Sequence, residues 1–292
     1  MVCRCFIVMA RLIAWAAWLI IPGSVFSENP ADEHVKLELI SEQDAIRPDR
    51  EIWMGVRFDL ANGWHTYWVN PGDSGEAPRI EWELPAGFKA GEIQWPYPER
   101  MPTTGLVDYG YEHQVLLIVA VRPPPRLTGA VGQKIAARVH YLVCHDVCIP
   151  GQQRLELTLP VKNWAVASSA AQLFEVTRQR LPRPVPSNWK ISAASVGDEF
   201  VLSVRNGKFV SAAQFFPLEP EQIENAASQR TTAIPGGIRL HLKKSKQLLK
   251  PLSQLEGVLV IGSRTAYLVN VHVFDQSAEL KSPPPKTDGG KS

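Results

Sequence analysis

The stretch "HYLVCHDVCIPGQ" places Cys144 and Cys148 with three residues between them, and Pro150 follows two positions after the second. Two thiols at this spacing can be inert core residues, can grip a soft metal ion, or can open and close a disulfide. His140, Cys144, His145 and Cys148 put two imidazoles and two thiolates within nine residues. Such a ligand set would suit copper(I) or zinc, although zinc sites ordinarily ask for a second paired cluster that this sequence does not offer. His145 and Asp146 read as polar loop-tip residues, and an imidazolium beside Cys144 would lower its pKa.

The segments on either side decide how the thiols are presented. "IAARVHYLV" alternates into Cys144, and "RLELTLP" leads away from Cys148 with Leu155, Leu157 and Leu159 on one face. That pattern predicts a tight hairpin with the sulfurs opposed across a three-residue tip. Cβ atoms of directly opposed strand residues lie about 4.5–5.5 Å apart, whereas a relaxed disulfide prefers about 3.5–4.5 Å, so a bond closed there is expected to be readily reduced. Its loop is so short that closure removes only about 2 kcal/mol of chain entropy from the unfolded state. Exchange chemistry therefore explains the pair better than stability does. A metal site and a fixed structural bond in a binding module stay open as alternatives.

Residues 1–27 read as a secretory signal: Arg4 and Arg11 precede a short apolar run, and "PGSVFS" ends it. Cleavage there would remove Cys3 and Cys5 and leave Cys144 and Cys148 as the cysteines of an exported chain, where disulfides persist. Without Arg4 and Arg11 the 31 basic residues fall to 29 and balance the 29 acidic ones. Zero net charge argues against a nucleic-acid or anionic-membrane partner. No later stretch is long and apolar enough for stable membrane insertion; "LEGVLVIGSRTAYLVNVHVF" is broken by Arg264 and alternates like strands.

The rest of the chain predicts an all-β protein. "VKLELI", "EIWMGVRFDL" and "RIEWELP" alternate as half-buried strands do, "NGWHTYW" begins with a turn signal, and "VLLIVAV" reads as a strand buried on both faces. Closely spaced glycine and proline turns between them indicate a β-sandwich over residues 28–162. "NWAVASSAAQLFEVTRQRLP" predicts a helix, and helix plus linker occupy residues 163–184. A second, smaller β-rich domain is expected over residues 185–275, and the proline- and glycine-rich residues 276–292 read as a disordered tail. Trp64, Tyr67, Trp68, Trp82 and Trp95 are read as sandwich packing residues.

Four motifs together resemble a known family. "NGWHTYWVNPGDSG", "IQWPYPERM", "VDYGYEHQVLL" and "YLVCHDVCIP" occur in this order in the N-terminal periplasmic region of the thiol:disulfide interchange protein DsbD family, most nearly its ScsB-like branch. The resemblance is strong over residues 35–162 and weaker through "QFFPLEPEQIENAASQ" and "GGIRLHLKKS" to about 275. It implies an immunoglobulin-like domain whose Cys144–Cys148 disulfide passes electrons, with Cys148 forming the mixed disulfide and Cys144 resolving it. It also implies no cofactor, a periplasmic location, a membrane-embedded DsbD-like thiol reductase as donor and thioredoxin-like periplasmic proteins as partners. Copper(I) belongs to the alternative reading, a copper-delivery protein. The family's cap loop has its nearest counterpart around Tyr97 to Met101. Tyr97, Glu99, Tyr109 and Tyr111 are thus candidate lid or tuning residues, while Asp108 and Glu112 read as solvated loop charges. This sequence holds no eight-helix membrane region and no thioredoxin-like domain, so its electrons are expected to come from a separate protein.

Overall fold

The computed structural model describes residues 30–275 apart from 104, 128–131, 209, 211 and 263–264. The expected signal segment with Cys3 and Cys5, Arg264 and the tail 276–292 lie outside the described residues. Ten strands make the N-terminal unit: β1 (Val35–Ser41), β2 (Ile52–Leu60), β3 (His65–Gly72), β4 (Arg79–Glu83), β5 (Lys89–Gln94), β6 (Glu99–Pro102), β7 (Val107–Glu112), β8 (Gln114–Arg122), β9 (Gln133–Cys144) and β10 (Cys148–Leu159). They form two antiparallel sheets, β1-β2-β8-β5 and β10-β9-β3-β7-β6, with β4 alongside β9. The two inner faces close on Met54, Val56, Phe58, Trp68, Tyr109, Leu117, Val119, Val139, Tyr141 and Val143. This is an immunoglobulin-like sandwich, and its apolar period of two is the one read from the sequence.

The continuous run in β8 is buried on both sides. Leu117 and Val119 face the sandwich, while Leu116 and Ile118 lie under Phe174 of the helix α1 (Ala171–Gln179). That helix is shorter than the segment that predicts it. Residues before it run as an extended strap instead, because the chain finds better partners there. Ala167 bridges Gln43, the Val166 N–H donates to Asp44 Oδ1 at 3.0 Å, and the Ser168 hydroxyl donates to the Ser41 carbonyl at 2.6 Å.

The C-terminal unit is one sheet in the order β14-β17-β18-β12-β13-β16-β15, with β11 on β18. Its strands are β11 (Arg183–Pro184), β12 (Lys190–Val196), β13 (Glu199–Arg205), β14 (Ala213–Pro217), β15 (Arg230–Ile234), β16 (Gly237–Lys243), β17 (Gln254–Ile261) and β18 (Thr265–Asp275). Phe200, Leu202, Phe215, Leu240, Leu255 and Leu259 build its own core. Phe216, Val258, Val260 and Ala266 turn the other way and join the core of the sandwich. The two β units are therefore packed directly on one another. Among the described residues no helix is long and apolar enough to cross a membrane.

Candidate redox site

The β9–β10 ladder runs from Gln133↔Leu159 to Cys144↔Cys148, so the two cysteines are its last pair. They are joined by a disulfide, with Cα atoms 4.1 Å apart. The tip is small because the His145 N–H donates to the Val147 carbonyl at 3.1 Å. His145 lies half-exposed with Nδ1 3.0 Å from Asp146 Oδ2, and its ring leans toward Trp64 at 6.0 Å. Gly63 lets the tip sit there, since a Cβ on it would meet the imidazole at 2.8 Å. Trp64 in turn stacks on His34, with ring centroids 3.7 Å apart.

Alternation along β9 decides which neighbours the sulfurs have. Val139, Tyr141 and Val143 enter the sandwich core, so His140, Leu142 and Cys144 project from the opposite face. On β3, Trp68 enters the core and His65 and Tyr67 share the outer face, where His65 lies directly across from Cys144. The Tyr67 hydroxyl donates to Cys144 Sγ at 2.8 Å and lies 3.6 Å from Cys148 Sγ. Cys144 is 2% exposed, whereas Cys148 opens to solvent beside Val147, which is 62% exposed. The disulfide is thus one-sided.

A buried polar cluster backs Tyr67. Asp108 is 2% exposed and accepts both the backbone N–H and the hydroxyl of Ser74 at 2.9 Å. His65 is buried too; its Nε2 makes no hydrogen bond and lies 4.0 Å from Asp108 Oδ2, while its ring meets Tyr67 edge-on at 5.3 Å. Burial pushes the Tyr67 phenol up to about 12, with the Asp108 charge adding to it. Burial also lowers the His65 pKa against the pull of Asp108 and Glu112, and raises that of Asp108 against its bonds to Ser74. Around neutral pH this leaves Tyr67 as an uncharged donor aimed at a sulfur, able to stabilise negative charge that appears there when the disulfide opens.

Several expected site residues lie elsewhere. Tyr109 and Tyr111 occupy the inner face of β7, with hydroxyls donating to Asn225 Oδ1 at 2.8 Å and to the Pro96 carbonyl at 2.7 Å. Their strand offset from Gly110, which pairs with Tyr67, turns both rings away from the sulfurs. Tyr97 and Glu99 hold the end of α1: the Arg180 guanidinium lies 5.1 Å over the Tyr97 ring and 3.4 Å from Glu99. The metal alternative is not assembled either. His140 shares the cysteine face, but four residue steps along the strand put it about 13 Å from Cys144, and its Nε2 lies 3.4 Å from Glu81. Among the described residues no group of three or more histidine, cysteine and acidic side chains could hold a metal ion. Asp108 is a buried residue and not a solvated loop charge. Tyr67 and His65 are the site residues the sequence reading missed. The spacing His-x-Tyr, offset by one from the core residue Trp68, is the signal that places them on the outer face.

A family model described as thiol:disulfide interchange protein DsbD, N-terminal, matches residues 36–160. No curated protein matches the chain. Among solved structures, the N-terminal periplasmic domain of ScsB from Proteus mirabilis aligns with 84% of this chain and 95% of its own length at 16% identity, with a TM-score of 0.64. That likeness extends the shared fold through both β units. The reduced N-terminal domain of Neisseria meningitidis DsbD aligns with 48% of this chain and 94% of its own at 15% identity, but a TM-score of 0.28 adds nothing. The match to the DsbD N-terminal family model thus covers the sandwich with its cysteine pair, residues 36–160 of this chain.

Proposed function

We propose that this protein is a periplasmic thiol–disulfide exchange protein that relays electrons through Cys144 and Cys148. The observation that carries the reading is the asymmetry of the pair: one sulfur is buried under Tyr67 and the other is presented at the hairpin tip. In the reduced protein the Cys148 thiolate attacks a partner disulfide, forming a mixed disulfide and releasing the partner's second sulfur as a thiolate. The Cys144 thiolate then attacks Cys148 Sγ, restoring the Cys144–Cys148 bond and freeing the partner as a dithiol. Two electrons pass to the partner. A donor dithiol repeats the exchange in reverse and returns them. The donor is a membrane-embedded DsbD-like reductase, and the acceptors are thioredoxin-like proteins. Leu142 and Pro150, paired on the same face two residues below the cysteines, border a cleft of about 350 Å³ that suits the chain flanking a partner cysteine.

The test uses single serine substitutions and glutathione disulfide as the probe. Cys144→Ser is expected to accumulate a stable glutathione adduct, and Cys148→Ser is expected to form little. The wild-type pair should equilibrate reversibly in thiol buffers. Equal reaction at both positions, or a pair that never equilibrates, would overturn the reading.

A further inference from the structure

The C-terminal β unit touches the redox site from behind. In the β3–β7 ladder the register jumps between Tyr67↔Gly110 and Gly72↔Asp108, which leaves a bulge at residues 68–71. This bulge and the turn after it are both tied to the second unit. Asn70 Nδ2 donates to the Pro217 carbonyl at 2.8 Å, and its Oδ1 accepts the Gly72 N–H at 3.1 Å. Asn225 Nδ2 donates to Asp73 Oδ1 at 2.8 Å, while Asp73 Oδ2 accepts the Val107 N–H at 2.7 Å. Asn225 is itself held by the Tyr109 hydroxyl and by Arg100, which donates to its carbonyl. Next in the turn, Ser74 bonds Asp108, and Gly75 lies against the Tyr67 ring so closely that a Cβ there would come within 2.1 Å of it. The Phe216 ring seals the junction, edge-on to Trp68 and Tyr109 at 6.2 and 5.2 Å.

We propose that the C-terminal unit is a clamp on the redox site: Asn225 and Pro217 fix the bulge and the Gly72–Gly75 turn that press Tyr67 onto Cys144, and so set the reactivity of the cysteine pair. Asn225 is a positioning residue, acting through Asp73 and Tyr67. The inference rests on the pair being the working centre of the exchange reading, yet it can be tested on chemically reduced protein whether or not exchange occurs.

The test substitution is Asn225→Asp, which keeps the acceptor for Tyr109 and turns the donor facing Asp73 into a like charge. The readout is the pH midpoint of iodoacetamide alkylation of the reduced pair, compared with Tyr67→Phe as reference. Val204→Ala, in the core of the second unit away from the junction, controls for simple loss of stability. Asn225→Asp is expected to move the midpoint in the same direction as Tyr67→Phe and to change the alkylation rate at neutral pH by about three- to tenfold, as the loss of one hydrogen bond allows. Val204→Ala should leave both unchanged. A wild-type profile in folded Asn225→Asp overturns the clamp. Should that variant not fold, Asn70→Ala removes the other tether, and a wild-type profile there overturns it equally. Reversible equilibration of the wild-type pair is a separate result, and its failure would strike the exchange reading alone.

Discussion

The hydroxyl of Tyr67 stands 2.8 Å from the sulfur of Cys144, on a side chain with no exposed surface. Once the disulfide opens and Cys144 carries a thiolate, this bond becomes charge-assisted and is worth about 1.5–3 kcal/mol, equivalent to about one to two pH units in the acidity of its acceptor. Tyr67→Phe should therefore raise the pH midpoint of alkylation of the reduced pair by that amount while leaving the melting temperature of the oxidised protein nearly unchanged. An unmoved midpoint would mean that the hydroxyl is mere packing.

Gly75 offers a second way to the same contact. Its φ is +83°, and an added Cβ would come within 2.1 Å of the Tyr67 ring. Gly75→Ala combines a strained backbone, about 1–2 kcal/mol, with overpacking, about 1–3 kcal/mol. The turn is expected to lift and uncover the buried sulfur. Reduction of the disulfide by glutathione should accelerate, as stopped-flow mixing with the oxidised variant would show.

His65 gives the site a pH signature in stability. Burial holds its folded pKa below the ordinary 6.5, so the unfolded chain takes up the proton first as the pH falls. Stability is full above about pH 6.5, declines as pH drops below it by at most about 1.4 kcal/mol per pH unit, and levels off below the folded pKa. Asp108, Glu112 and His145 are the charged groups that act on this ring, and Asp108 moderates the loss. Thermal melting of the oxidised protein between about pH 7.5 and 5.5 should show a decline that His65→Gln flattens.

Phe216 joins two cores, since it is buried among residues of the sandwich while its neighbour Phe215 fills the core of the second unit. Phe216→Ala should cost about 3–5 kcal/mol. The cost should appear at the junction, splitting one unfolding transition into two in calorimetry. A single, unsplit transition at lower temperature would place the loss inside one unit instead.

The elements were largely legible in the sequence, for a physical reason: a half-buried strand writes its period of two into the residue order, and an antiparallel hairpin brings opposed cysteines into register by counting. The choice of face around the sulfurs was harder. Tyr67, Tyr109 and Tyr111 have the same chemistry and all sit on alternating strands, yet one covers the disulfide and two fill the core. Only the pairing of Tyr67 with Gly110 separates them. Asp108 looked solvated because the fold that buries it involves Ser74, 34 positions away. The strap before α1 was misread as helix because its hydrogen bonds go to β1 and to the loop after it, not to itself.

The sulfurs form the terminal rung of a ladder whose other rungs continue to Gln133 and Leu159. That rung can open and close without unzipping anything beneath it. Under the proposed exchange reading, the passage of electrons would then need little molecular rearrangement, and a turnover would keep no memory of the previous one. A partner in such exchange would then have little altered shape to inspect in telling the charged form from the spent one, and would have to read the sulfur atoms themselves.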